Sequence, residues 1–478
     1  MNIIGFAAWE WLIIVQHELL LFAAVLFLIG ALDDLLVDFT WLWLKISGKA
    51  RVETVDGAKL GAAPLSGDAA IFIPAWSESE VISDTISHAL AMWPHKNLRI
   101  YVGCYRNDPA TIEAVMAAAP NDARLRLVVH DRMGPSTKAD CLNRLYQAMR
   151  SDELRGGFYP RMVVFHDAED MVDPAALKLL DEAIGEADFV QLPVLALPQP
   201  NSRWLGSHYV EEFAEAHGKN MVMRHAIGAA LPAAGVGFAV SRAALQRLAD
   251  EHTTELPFAT DSLTEDYELG LAIAAQGGRC TFVRKRHRNG KLIATRAYFP
   301  SRLVDVVRQK TRWVHGIAFQ GWDRLGWGAG PDLPRIVEAW MRMRDRRGPA
   351  TALVLFAAYV LLGLSALAWI GAEFGIGQTM VLTPLLTFLL AANLAAFVWR
   401  AVMRFAFTAQ EFGLAEGLRA VVRIPIANII AIMAGRRALT AYVRALAGEA
   451  LVWDKTPHVE HPVRQIGQDT PAAQGAAA

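Results

Sequence analysis

Two apolar runs dominate the second half of the chain: residues 350–372 carry no charged side chain, and neither do residues 374–399. Each is long enough to cross a bilayer as a helix. Near the N-terminus, residues 19–32 are apolar but short, and adding residues 11–15 reaches spanning length with Gln16, His17 and Glu18 enclosed. No Lys or Arg precedes this run and no small-residue cleavage site follows it, so an uncleaved signal anchor is expected. Beyond it, Asp33, Asp34 and Asp38 alternate with Leu, Phe and Trp up to Trp43, a pattern that predicts an interfacial amphipathic segment. Arg423 and Arg437 enclose a shorter apolar stretch containing Pro425 and Asn428, expected to be an interfacial or re-entrant helix, not a fourth span.

Between the first and second apolar runs the pattern changes. A Gly/Ala/Pro linker covers residues 56–68; short β-branched runs then alternate with helical stretches as far as about Gly321. Strands are predicted at 70–74, 99–105, 125–130, 162–166 and 189–192, with helices starting near Glu78, Pro109, Thr137 and Pro174. That alternation implies an α/β fold on a mostly parallel, Rossmann-like sheet, with chemistry beyond the carboxyl ends of the strands. The expected organisation is an anchor and interfacial helix (1–55), an α/β domain (56–340), two transmembrane helices (341–403), interfacial or re-entrant helices with a C-terminal lid or anchor (404–462), and a disordered tail (463–478).

Positive charge orients the spans. Lys45, Lys49 and Arg51 follow the first; Arg342, Arg344, Arg346 and Arg347 precede the second; Arg400 and Arg404 follow the third, while the loop between the last two carries only Glu373. Three spans are therefore expected, with the N-terminus outside and both the α/β domain and the C-terminal tail inside. Composition agrees: 53% hydrophobic and 20% charged residues are greasy for 478 residues of soluble protein. The net charge of −1 gives no argument for nucleic acid as a partner. Cys104, Cys141 and Cys280 lack paired or metal-ligand spacing and read as reduced thiols.

Candidate chemistry gathers at strand ends. His166-Asp167-Ala168-Glu169-Asp170 follows the fourth strand, and three carboxylates so close together repel unless a cation lies among them. Mg²⁺ or Mn²⁺ suits such hard oxygen ligands, with substrate phosphates completing the shell; a solvated acidic loop is the plain alternative. Leu263-Thr264-Glu265-Asp266 opens a helical pattern, where Thr264 suits an N-cap and Asp266 could be either a cap or a general base. Gln309, Arg312 and Trp313 share one helical face, offering an amide, a guanidinium and an indole to a diphosphate and a sugar ring. The same face would also serve a helix snorkelling at a bilayer.

The order of these pieces is informative. Ile73-Pro74-Ala75-Trp76-Ser77-Glu78 ends the first strand, and a segment from Gly134 through Lys138 to Asn143 opens the helix after the third; the acidic triplet, Thr-Glu-Asp and Gln-x-x-Arg-Trp follow. In this the chain resembles the family 2 glycosyltransferases of GT-A fold, which include cellulose, chitin and hyaluronan synthases. Over residues 41–458 it most resembles the bacteriophage adsorption protein B type of inner-membrane glycosyltransferase, through Asp-Asp-Leu-Leu-Val-Asp at 33–38, Tyr-Arg-Asn-Asp-Pro at 105–109 and Trp-Asp-Lys-Thr-Pro-His at 453–458.

The resemblance implies roles. Pro74, Glu78 and Asp108 would hold the nucleotide sugar's base and ribose, and Lys138 would approach the diphosphate. Asp167 and Glu169 stand at the metal-ligand positions, with Asp170 as a rival. Asp266 becomes the catalytic base of an inverting displacement, with Glu265 beside it. Gln309, Arg312 and Trp313 would bind the diphosphate and acceptor. Lys455, Thr456 and His458 would form a lid or a C-terminal anchor. Two departures stand out: Glu169 replaces the second metal-ligand Asp, and Cys104-Tyr105-Arg106-Asn107-Asp108 replaces the usual Asp-Asp-Gly, removing a familiar uracil contact. The implied activity is inverting, metal-dependent transfer from a nucleotide sugar, UDP-sugar favoured, to a growing glycan at the cytoplasmic face of a bacterial inner membrane, for exopolysaccharide synthesis and with an outer-membrane export partner. Single-sugar transfer to a polyprenyl phosphate and a non-catalytic sugar-nucleotide receptor are the alternatives.

Overall fold

The computed structural model describes residues 8–328, 330, 334–375, 379–449, 456, 458 and 460–469. Helix α1 (Ala8–Ile46) is continuous, so the expected interfacial segment after the anchor is instead the far end of one rod about 58 Å long. The acids of that end, Asp33, Asp34 and Asp38, turn inward to cations on other elements.

The α/β domain is built on strands β1 (Asp68–Pro74), β2 (Leu98–Tyr105), β3 (Leu125–His130), β4 (Pro160–Phe165), β5 (Phe189–Gln191), β6 (Phe238–Ser241) and β7 (Cys280–Phe282). They hydrogen-bond in the order β3-β2-β1-β4-β6-β5-β7, and only β6 runs antiparallel to its neighbours. The five strands read from sequence are present within two residues at each end. Strands β6 and β7 were not expected; at three or four residues they carry too little periodic signal. Along β1, Ala69, Ile71 and Ile73 face one core with Ile82, Ile86 and Trp93, while Ala70 and Phe72 face another with Leu142, Leu145 and Phe238. Both faces of the sheet are therefore covered, as a parallel sheet requires.

Helices follow as α2 (Ile82–Met92), α3 (Pro109–Ala118), α4 (Lys138–Arg155), α5 (Ala176–Ala183), α6 (His208–Glu215), α7 (Arg242–Glu251), α8 (Glu265–Ala275) and α9 (Leu303–Val314). The capping chemistry is local: Asp108 accepts from Thr111 N with Pro109 in the first turn, and Thr137 accepts from Asp140 N. Helix α2 starts four residues after Glu78, because Ser77 takes a positive φ of 52° and the chain turns before the helix begins.

Beyond the domain come α10 (Arg335–Arg346), α11 (Gly348–Glu373), α12 (Pro384–Phe412), α13 (Leu414–Val422), α14 (Ile424–Leu446) and α15 (Pro462–Asp469). Among the described residues, four helices are long and apolar enough to cross a membrane: α1, α11, α12 and α14. Two expectations change. The third apolar run is helical only from Pro384, which sits in a first turn with Thr383 as its cap. The stretch around 423–437 extends to Leu446, since Arg436 and Arg437 interrupt its hydrophobicity but not its helix, and Pro425 occupies the first turn, where it costs no hydrogen bond. The tail also differs: residues 462–469 are helical, with Arg464 bonded to Asp84 at 2.6 Å and Gln465 to the Tyr298 hydroxyl. Residues 470–478 lie outside the described residues.

Charge pairs join the long helices to α10 and to the α/β domain. Asp33 accepts from Trp340 Nε1 at 2.6 Å and pairs with Arg344 and Arg347; Asp34 pairs with the same two arginines at 3.0 and 2.6 Å. Asp38, fully buried, meets Lys219 and the Trp399 indole. Arg423, also fully buried, bridges Glu211 and Glu416 at 2.6 Å each. Removing one member of a buried set strands the others in low dielectric, at a cost of about 3 kcal/mol or more. Arg423→Ala should lower the unfolding temperature of the detergent-solubilised protein, measured by circular dichroism, by several times the shift of Arg155→Ala at an exposed site. Equal shifts would show that the pairs are energetically idle.

Candidate functional site

The cleft opens beyond the carboxyl ends of β1 and β4, with a volume of about 410 Å³, a size that suits a small ligand. Pro74, Glu78, Lys138, Asp167, Glu169, Glu265, Asp266, Gln309, Arg312, Trp313, Thr456 and His458 all line it. Residues from the first strand to the far end of the described chain thus converge. Lys455 lies outside the described residues.

The acidic loop after β4 is clamped from behind by α2. Thr85 Oγ1 donates to Ala168 O at 2.5 Å, His88 Nε2 lies 3.0 Å from Val172 O, and Trp93 Nε1 donates to Asp173 O at 3.1 Å. Asp170 lines the cleft with Asp167 and Glu169. One of its carboxylate oxygens takes both His166 Nδ1 (2.8 Å) and Asp167 N (3.0 Å), so it also shapes the loop. Lys138 Nζ meets Asp167 at 2.6 Å and reaches Glu265 at 3.9 Å. Burial alone would discharge Lys138, yet Asp167, Glu265 and Asp266 around it hold its ammonium above the ordinary lysine range.

The carboxylates shift the other way. Burial, only partly relieved by His458, pushes Glu169 up to about 8, with Asp167, Glu78 and Asp170 adding repulsion. Burial and the neighbouring Asp266 raise Glu265 to about 7, and burial raises Asp266 against the pull of Lys138. Shifts of this kind cluster where a site is built for charge.

Helix α8 delivers Glu265 and Asp266 from its first turn. Thr264 occupies the cap position, but its hydroxyl makes no capping bond and is buried without a partner among the described residues, packed where a Cβ on Gly316 would stand 2.5 Å away. The loop before it is gripped by Gln320, which accepts from Leu263 N at 2.8 Å and donates to Asp261 O at 2.7 Å. Gln320 belongs to a π-helical turn (His315–Gln320) continuing α9, so the helix bearing Gln309, Arg312 and Trp313 also fixes Asp266. Trp313 packs edge-on to Tyr209 and Phe299, its ring held by other aromatics.

Asp108 does not line the cleft. Its carboxylate accepts from Ser77 N at 2.6 Å and Thr111 N at 3.3 Å, so it sets the turn that aims Glu78. His458 contacts both Glu78 (Nδ1, 3.0 Å) and Glu169 (Nε2, 3.2 Å). Glu78, Glu169 and His458 each offer a donor atom within 4.8 Å of the others.

A family model described as "Glycosyltransferase like family 2" matches residues 67–316, just over half of the chain. The chain belongs to the family 2 glycosyltransferases. Bacteriophage adsorption protein B of Escherichia coli strain K12 is 32% identical over 469 residues, covering 91% of this chain and 61% of that protein; Bacteriophage N4 adsorption protein B of E. coli O157:H7 matches equally. The chain thus spans about three fifths of the curated relatives' length. Among solved structures, the mannosyltransferase PcManGT from Pyrobaculum calidifontis in complex with GDP-Man and Mn²⁺ is 17% identical, covering 86% of this chain and 97% of its own, with a TM-score of 0.46. Glucosyl-3-phosphoglycerate synthase from Mycobacterium tuberculosis is 17% identical, covering 59% and 89%, with a TM-score of 0.36. The order β3-β2-β1-β4-β6-β5-β7 with one antiparallel member is the GT-A arrangement of this family 2 domain.

Several contributors to the family 2 site were not read from sequence. Gln191, fully buried, holds the loop at 234–237 through Ala234 N and the carbonyls of Val236 and Gly237. Gly235 has a φ of 85°, and a Cβ there would stand 2.9 Å from Asp266 Oδ2. The Gly-Val-Gly at 235–237 was the available signal. Gly235→Ala should lower turnover about 10²-fold by displacing Asp266, with the far-UV spectrum unchanged. Full activity would show that Asp266 tolerates movement.

Proposed function

We propose that this family 2 glycosyltransferase domain performs inverting transfer from a nucleotide sugar to a glycan acceptor beside the membrane. One observation carries the reading: Lys138, the acidic loop, Asp266 and the Gln309/Arg312/Trp313 face meet in a single cleft. Asp266, on a rigid helix start and raised by burial, is the base that takes the acceptor hydroxyl's proton as the oxygen attacks the anomeric carbon. Lys138 and Arg312 supply positive charge for the departing diphosphate, and Trp313 offers its ring to the acceptor sugar. Glu265, beside the base, keeps Lys138 charged.

Mg²⁺ or Mn²⁺ fits the residues present. Buried Glu169 is too crowded by acids to hold its charge readily without a cation, and hard oxygen donors surround it. When bound, such an ion supplies charge neutralisation for a diphosphate leaving group. The donor is read as a UDP-sugar and the acceptor as a growing exopolysaccharide, with an outer-membrane partner for export.

Packing supports a three-span arrangement. Helix α14 lies along the domain: near one end Ile426 and Ile430 join Tyr209, Val306 and Trp313, while near the other Tyr442 bonds to Asp323 and stacks on Phe319. Contacts with the domain near both ends favour a helix lying along the membrane surface. Together with the arginines that flank the other spans, they support three spans in the inner membrane, with the domain and tail on the cytoplasmic side. Cysteine placed at exposed Glu373 should label from outside intact cells, and cysteine at exposed Glu449 should not; labelling of both would require a fourth crossing.

Asp266→Asn separates chemistry from binding. It should leave donor affinity within a few-fold while lowering transfer by about 10²–10⁴, measured by calorimetry and by nucleotide release. Parallel loss of both would remove Asp266 from the role of base.

A further inference from the structure

A second charged locus lies away from the cleft and is opposite in sign. Arg284-Lys285-Arg286-His287-Arg288 places four permanent cations in five residues, and residues 285–287 pair in parallel with residues 53–55, just beyond α1. That pairing brings the end of α1 with it: Lys45 lies within electrostatic reach of both Arg284 and Arg286. We propose that Lys45, Arg284 and Arg286 form a binding site for a phosphate group, carried by a soluble phosphate-bearing anion or by the headgroup of an anionic lipid.

The site holds more positive than negative charge. Glu411 on α12 meets both arginines through one oxygen, Oε1, which takes Arg284 Nη2 at 3.0 Å and also Arg286 Nη2. The side chains of Arg284, Arg286 and Glu411 are only 8%, 15% and 6% exposed. Buried charges are ordinarily paired, yet three cations here share one acid. Other acids nearby are taken: Glu53 by Lys285 at 3.0 Å, Asp56 by Arg288 at 3.4 Å, and Asp173 by His287 at 2.9 Å and Arg296 at 3.6 Å. Arg284 Nε is buried with no partner among the described residues. Burial, with Arg286 adding repulsion, pushes Arg284 down to about 10 despite Glu411, and burial and Arg284 together bring His217 down to about 3. The local field thus disfavours further positive charge and favours an anion.

Phosphate suits this donor set. Guanidinium groups present paired donors to phosphate oxygens, and a lysine adds a point charge. Basic pockets beside membrane-spanning helices hold lipid headgroups by the same chemistry. Here α12 supplies Glu411, and exposed Phe39, Trp43 and Ile46 lie close to Lys45 along α1. Lys45, Arg284, Arg286 and Glu411 do not line the cleft, so the site stands apart from the proposed chemistry.

The test titrates the detergent-solubilised full chain with inorganic phosphate, read by calorimetry and by unfolding temperature. The same protein is placed in nanodiscs of phosphatidylcholine alone or mixed with phosphatidylglycerol. A probe that occupies the site raises the unfolding temperature. Arg284→Gln and Lys45→Met should each weaken the effective probe at least about 10-fold. Glu411→Gln should strengthen it, because the acid competing with the anion is gone; a merely structural staple predicts instead a loss of stability that neither probe restores. Stabilisation by phosphate in detergent identifies a soluble anion, and stabilisation by phosphatidylglycerol alone identifies a headgroup; either supports the site when the variants respond as stated. No stabilisation by either probe, or an effect unchanged in Arg284→Gln and Lys45→Met, or one weakened in Glu411→Gln, overturns it.

Discussion

Crowded negative charge in a place with little water is the constraint around which this molecule is organised. Glu78, Asp167, Glu169, Glu265 and Asp266 line one cleft, and burial raises the acids at 169, 265 and 266. Lys138 answers part of that charge from the start of α4. Glu78 and Glu169 also meet His458, which arrives from the far end of the chain. A cluster of this kind is costly to fold, and it is useful when the ligand is itself a metal–diphosphate assembly. The cost is spread over rigid elements: α2 clamps the acidic loop, Gln191 clamps the loop beside Asp266, and Gln320 clamps the approach to α8.

A second set of buried charges places that cleft beside the long apolar helices. The acids of α1 engage arginines of α10 and α12, and Glu211 and Glu215 on α6 engage Arg423, Arg404 and Arg400. Ion pairs of this sort specify position more than they add stability. The same helix α6 contributes Tyr209 and Phe213 to the aromatic packing around Trp313. The attachment of the apolar helices and the proposed acceptor end of the cleft therefore share a wall.

Much of this was legible in the chain. The five strands with β-branched runs, the acidic loop at the end of β4 and the shared face of Gln309, Arg312 and Trp313 follow from local periodicity. What stayed hidden depends on tertiary contact. Asp33 and Asp38 read as interfacial because their partners, Arg344 and Lys219, lie 311 and 181 positions away, beyond any pattern a local window can see. Asp108 looks identical in sequence to a ligand, and only hydrogen-bond geometry shows it shaping a turn. The extent of α14 was hidden by two arginines that change its surface but not its backbone. His458 could be noticed as part of a motif, yet its meeting with Glu78 spans 380 positions.

The most direct measurement is release of nucleotide diphosphate by the purified, detergent-solubilised protein across a panel of UDP- and GDP-sugars, with Mn²⁺ or Mg²⁺ and with chelator. Release from one donor, dependent on the ion, is the predicted result. Binding of a donor with the ion, and no release in the presence of glycan or polyprenyl-phosphate acceptors, would contradict catalysis and make this a sugar-nucleotide receptor.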